Sequence, residues 1–75
     1  MSGLPILKPQ QAIRAFERAG WEINRRAGSH MIMEKDGRDA ILSVPFHKGK
    51  NTKRGLMRKL IRDAGLTVEE FLKHI

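Results

Sequence analysis

The chain contains no cysteine, which excludes disulfides, thiolate nucleophiles and thiolate metal sites. No apolar run approaches the roughly 20 residues that a membrane-spanning helix needs. Residues 1–8 lack the charged and apolar regions of a secretory signal, so the expected location is cytoplasmic. Internal repeats, low-complexity tracts and linkers are also missing. A length of 75 residues predicts one domain over 1–75, with no room for a cofactor-binding unit beside its small core; no cofactor is expected. Acidic residues are scarce as well. Eight Asp and Glu face 15 Lys and Arg, a net charge of +7. On so small a body such an excess gives a positive field that suits a polyanion, most simply nucleic acid. A membrane surface would call for one helix with a large apolar face and a concentrated basic face, and no segment has that form.

Hydrophobic periodicity orders the chain as helix, three strands, helix and a helical tail. Residues 9–19 carry Ala12, Ile13, Phe16 and Ala19 at helical spacing, with Pro9 in the first turn and Gly20 just past the end. Residues 21–26 alternate with period two; Ala27, Gly28 and Ser29 supply a turn, and residues 30–35 form a second strand. Asp36-Gly37 signals a tight hairpin into a third strand over 38–44, which Pro45 closes. Thr52 is the expected N-cap of a second helix over 53–64, with Leu56, Met57, Leu60, Ile61 and Ala64 as its apolar stripe and Gly65 at its end. Gly55 inside that pattern costs about 1 kcal/mol against alanine. Thr67 and Glu70 have capping-box spacing and open the tail. Two helices on one face of a three-stranded antiparallel sheet make a sound two-layer α+β fold, α-β-β-β-α with a short helical tail.

Three landmarks follow one another in this order: Gly20-Trp21 through Gly28-Ser29-His30, then Val44-Pro45-Phe46-His47, then the basic helix around Gly55-Leu56 with Ala64-Gly65-Leu66 beyond it. Together they resemble the HicA family of mRNA interferase toxins, over most of the chain from Lys8 to Leu72. The resemblance implies a fold similar to the double-stranded-RNA-binding domain. It also implies endonucleolytic cleavage of mRNA, inhibition by a HicB-type antitoxin, and an essential histidine at the position of His30.

Read from the residues alone, His30 is either a half-buried strand histidine without chemistry or a general base, the role an imidazole suits near neutral pH. The resemblance favours the base. Gly28 and Ser29 form the turn that positions it. If Met31 and Met33 are core, His30 faces outward. Glu34 is a candidate carboxylate partner for the ring. His47 is the candidate partner acid, equally readable as a solvated or phosphate-contacting loop residue; His74 reads as structural. Scattered histidines without cysteine make no metal site.

Candidate phosphate contacts are Arg25 and Arg26 before the turn, Lys48, Lys50 and Lys53 in the following loop, and Arg54 and Arg58 on the second helix; each also reads as a solvated charge. Strand alternation sends Arg25 and Arg26 to opposite faces, and unbroken parity favours Arg26 as the one that points at the site. Phe46 could stack on a base, whereas Trp21 shares the Ile23 face and reads as core. The reading is therefore a metal-independent endoribonuclease acting on mRNA. A non-catalytic RNA-binding domain on the same fold is the alternative, and it gives Gly28-Ser29-His30 no role.

Overall fold

A computed structural model describes residues 3–47 and 49–75. The elements run α1 (Pro9–Arg18), β1 (Glu22–Ala27), β2 (His30–Glu34), β3 (Leu42–Pro45), α2 (Arg54–Asp63) and α3 (Val68–Leu72). The strands form one antiparallel sheet in the order β1-β2-β3. This is the expected α+β fold, and its layout is consistent with a double-stranded-RNA-binding-domain-like arrangement.

The two-layer form follows from where the apolar side chains fall. Met33, Leu42 and Val44 on the sheet pack with Ala12, Ile13, Ala15 and Phe16 of α1 and Met57, Leu60 and Ile61 of α2 in one buried cluster. Phe71 of α3 joins it, its ring 5.0 Å from that of Phe16, within the range of favourable aromatic pairs. Trp21, just before β1, is buried as expected, although Ile23, whose parity it shares, is 43% exposed. The opposite face of the sheet contributes no side chain to this cluster and is left open.

Cations close the helix C-termini, where the carbonyls have no intrahelical partner and the dipole is negative. Lys35 Nζ donates to Ala19 O at 3.0 Å, beyond α1, and Arg38 Nη2 donates to Asp63 O at 3.0 Å, at the end of α2. The Thr67–Glu70 capping box is formed in both directions, at 3.1 and 2.9 Å. Hydrogen bonding to Thr67, its backbone N–H first and its side chain second, holds the Glu70 carboxyl below its ordinary pKa.

Four details depart from the sequence expectation. First, β3 spans Leu42–Pro45 rather than 38–44. Lys35 and Arg38 do close a turn, with Arg38 N–H donating to Lys35 O at 3.1 Å, but pairing resumes only at Met33 opposite Leu42. A two-residue hairpin at Asp36-Gly37 would set Ala40 against Met33. The observed register instead sets Leu42 and Val44 against Met33 and Met31, burying more apolar surface and freeing Arg38 for α2. Second, a bulge between Ile23 and Arg25 leaves Asn24 unpaired in β1. Third, Thr52 is not the N-cap of α2; Lys53 is. Thr52 is buried and bridges to Leu7, its N–H donating to Leu7 O at 2.8 Å. The helix accordingly starts one residue late, at Arg54, which puts Gly55 in its first turn. Fourth, Leu4 and Leu7 are core residues. They precede α1 and share no periodic element with it, so no pattern marks them.

Gly65 adopts φ +77°, and a Cβ there would sit 2.8 Å from Arg38 Nη1. Gly65→Ala should therefore lose about 1–3 kcal/mol from backbone strain together with the Arg38 cap, read as a lower denaturant midpoint at unchanged m-value. Because Glu70 titrates lower folded than unfolded, its stabilisation is present above the ordinary carboxylate range near 4 and is lost as pH falls through and below it. Melting temperature should drop less on acidification in Glu70→Gln than in the native chain.

Candidate active site

The site is built at one end of the sheet, around the turn between β1 and β2. Ala27 pairs with His30, so Gly28 and Ser29 are the two central residues of a tight hairpin. Gly28 has φ +61° and no non-glycine residue has positive φ among the described residues. Positive φ at the first central position only is the pattern of a type II′ turn, which asks for glycine there. This turn makes His30 the first residue of β2, at the rim.

Which face His30 takes is decided by its neighbours. Met33 is fully buried and Met31 packs on the core, so alternation turns His30 and Ile32 to the open face. The His30 imidazole is half-buried and its Nδ1 lies 3.1 Å from Ser43 Oγ. Ser43 pairs with Ile32 and so lies diagonally from His30 on the same face. Glu34 shares the face but is four residues along β2, roughly 13 Å at the rise of an extended strand. The hydroxyl of Ser43, not the carboxylate of Glu34, is thus the partner of the ring.

The bulge at Asn24 exchanges the two arginines. Arg25 pairs with Ile32 and Arg26 with Met31, so Arg25 shares the face of His30 and Arg26 does not. This corrects the preference for Arg26, which rests on unbroken parity. Arg25 is exposed and diagonal to His30, a spacing of about 7–8 Å between backbones that a long side chain spans. Arg26 donates from Nε to Gly28 O at 3.1 Å, holding the turn, and its guanidinium lies over the Phe46 ring, 6.0 Å from the centroid. Phe46 N–H donates to Ser29 O at 2.6 Å, which clamps the segment after β3 to the same turn.

Beyond Phe46, His47 is exposed, and its carbonyl accepts from Lys50 N–H at 3.1 Å; among the described residues its ring has no hydrogen bond. Lys48 lies outside the described residues. Lys50 lines a cleft of about 580 Å³ with Lys8, Pro9, Gln10, Arg26 and Phe46. Lys53, Arg54 and Arg58 are exposed but belong to the helical layer, behind the sheet from His30. Arg54 is structural in part, donating from Nε to Leu4 O at 2.9 Å.

The opposite end of the sheet carries the contrary charge, with Glu22, Glu34 and Asp36 lining a second cleft. Lys35 shares it, with its ammonium bound to Ala19 O. Along the sheet, the His30 end is therefore the more favourable one for a polyanion. Among the described residues, no three His, Cys, Asp or Glu side chains are grouped as metal ligands, and no helix is long and apolar enough to cross a membrane.

Sequence reasoning misses Ser43, Lys8 and Gln10. The parity of Ser43 between Leu42 and Val44 places it on the open face, but only the strand register shows that it meets His30. Lys8 and Gln10 reach the site because the start of α1 lies beside the Phe46 loop, a purely tertiary relation.

If the Ser43 contact orients the ring, nitrogen NMR of neutral His30 should show one dominant tautomer in the native chain and a mixture in Ser43→Ala. Unchanged imidazole shifts would show the contact to be incidental.

A family profile described as the HicA toxin of bacterial toxin–antitoxin systems matches residues 9–66. No curated protein matches the chain.

Proposed function

The chain belongs to the HicA toxin family of bacterial toxin–antitoxin systems, and on that premise we propose that it is a metal-independent endoribonuclease that cleaves mRNA and is held inactive by a HicB-type antitoxin. The observation that carries the reading is the placement of His30. Its imidazole stands at the rim of an open sheet face, bonded through Nδ1 to Ser43 and at the cationic end of the sheet.

That geometry supports the following reaction. With Nδ1–H donating to Ser43 Oγ, the lone pair on Nε2 is free to accept a proton, in the way a third group orients a catalytic imidazole. Nε2 takes the proton of a ribose 2′-hydroxyl. The 2′-oxygen attacks the adjacent phosphorus, and the bond from phosphorus to the 5′-oxygen breaks. The products are a 2′,3′-cyclic phosphate and a 5′-hydroxyl. His47 protonates the leaving oxygen, with an ordered water as the alternative donor. Arg25, on the face of His30, stabilises the charge that develops on the phosphate. Arg26 and Lys50, together with Lys48, contribute phosphate contacts near the site, while Lys53, Arg54 and Arg58 on the helical layer contribute to the general field and to contacts with RNA that extends beyond it. An inhibitor has to cover this basic end, so the antitoxin presents acidic groups to it.

End-group analysis of a long RNA treated with the purified chain tests the reaction. Fragments should carry 2′,3′-cyclic phosphate ends, form equally in EDTA, and be absent with DNA. His30→Ala should lose about 10²–10⁴-fold in rate with RNA affinity retained. Arg25→Ala should lose turnover by about 10²–10³-fold, more than Arg26→Ala loses. Cleavage that stops in EDTA and returns with Mg²⁺ contradicts the mechanism, and intact RNA contradicts the activity.

A further inference from the structure

The cleft beside the Gly28-Ser29 turn has walls of three different kinds. Phe46 gives an aromatic face, Arg26, Lys8 and Lys50 give positive charge, and Gln10 and Asn51 give amides. Its volume of about 580 Å³ lies within the roughly 300–1,000 Å³ usual for small-molecule sites. We propose that it is a nucleotide subsite, in which the base of a residue flanking the scissile phosphate inserts between the Arg26 guanidinium and the Phe46 ring. The proposal rests on the ribonuclease reading and adds to it a slot separate from the reacting atoms.

The spacing of the two planar groups is the first argument. The guanidinium carbon lies over the Phe46 ring, 6.0 Å from its centroid. A planar base sandwiched at van der Waals contact on both sides needs roughly 7 Å, so the two groups have to part by about one ångström or more. Arg26 is exposed and its side chain is, among the described residues, hydrogen-bonded only through Nε to Gly28 O, and a small side-chain rotation supplies that distance. The inserted base gains an aromatic stack on one side and a cation on the other.

The chemistry of the remaining walls is the second. Lys8 and Lys50 are exposed cations at the mouth, where the backbone phosphates of a bound strand would run. The side-chain amides of Gln10 and Asn51 offer donors and acceptors together, the complement of a base edge. An inorganic anion would use the lysines alone and leave the aromatic face and the amides without a task.

Position is the third. Phe46 follows Pro45, the residue paired with His30, and its N–H is held by Ser29 O. The slot and the imidazole therefore flank one rigid turn, on opposite sides of the sheet rim. A strand crossing the rim places one phosphodiester at His30 while its neighbouring base drops into the slot. Selection among cleavage sites follows from this cleft, whereas His30 itself reads no base.

The test uses the full chain and the four 5′-mononucleotides, with inorganic phosphate as the comparison, followed by NMR. Nucleotides should shift the Phe46 ring protons and Arg26 Nε–Hε, with one or two bases favoured; inorganic phosphate should leave the ring signals in place. Phe46→Leu, and separately Arg26→Gln, should weaken nucleotide binding about five- to a hundred-fold. Both should raise KM for RNA and change the pattern of cleavage sites; Phe46→Leu, which keeps the backbone bond from residue 46 to Ser29 O, should do so at a kcat that moves far less. Equal shifts with phosphate alone would reduce the cleft to an anion site and overturn the proposal. Shifts with an oligo-glutamate peptide but not with nucleotides would overturn it too, and assign the cleft to a protein partner. Native cleavage with KM and site pattern unchanged in both variants removes the slot and keeps the ribonuclease. Nucleotide binding in the slot without any RNA cleavage keeps the slot and removes the ribonuclease.

Discussion

Everything at the candidate site depends on the register of β2. Strand side chains alternate, so a slip of one residue would turn Met31 and Met33 to solvent and His30 into the core. The packing of Met33 with Leu42 and Val44 against the two main helices makes that slip costly. Burial of a Leu- or Met-sized side chain stabilises by about 1.5–3 kcal/mol, and several would be exposed together. Hydrophobic burial on one face therefore fixes an imidazole on the other. The two-residue turn ahead of His30 adds the second coordinate, setting the ring at the rim.

Around that fixed point the charges are sorted by position along the sheet. The end with the Gly28-Ser29 turn gathers Arg25, Arg26, His30 and Lys50, while the far end gathers Glu22, Glu34 and Asp36. Two other cations, Lys35 and Arg38, are held at helix C-termini. The +7 charge is thus not a uniform coat. Part of it holds the fold, part lies on the exposed helix faces at Arg14, Arg18, Arg58 and Arg62, and part gathers at the end of the sheet that carries the histidine. A toxin of this size has little core to spare, and using cations as helix caps lets the same residue type serve stability and recognition.

Much of this is readable in the residues. The helices, the outward turn of His30, the burial of Trp21 and the Thr67–Glu70 cap all follow from local periodicity and spacing. What is not readable arises from pairing between distant segments. One unpaired Asn24 reverses the parity of Arg25 and Arg26, and no composition signal marks a bulge in a polar edge strand. The late start of β3 comes from a competition between turn chemistry at Asp36-Gly37 and burial of Leu42 and Val44, which burial wins. Thr52 looks like a cap because of its type and place, yet the Leu7 bridge claims it. Ser43 enters the site only through the register. Sequence thus singles out the histidine at the rim as the candidate, and the register assigns its neighbours.

The central claim is that a single imidazole on this rim makes the chain a ribonuclease toxin. Induced expression in a bacterial host, with growth and the half-life of several mRNAs followed in parallel, tests it most directly. The native chain should arrest growth while transcripts shorten, and His30→Ala, produced at equal level and folded, should do neither. Arrest and transcript loss that persist in His30→Ala would contradict the account.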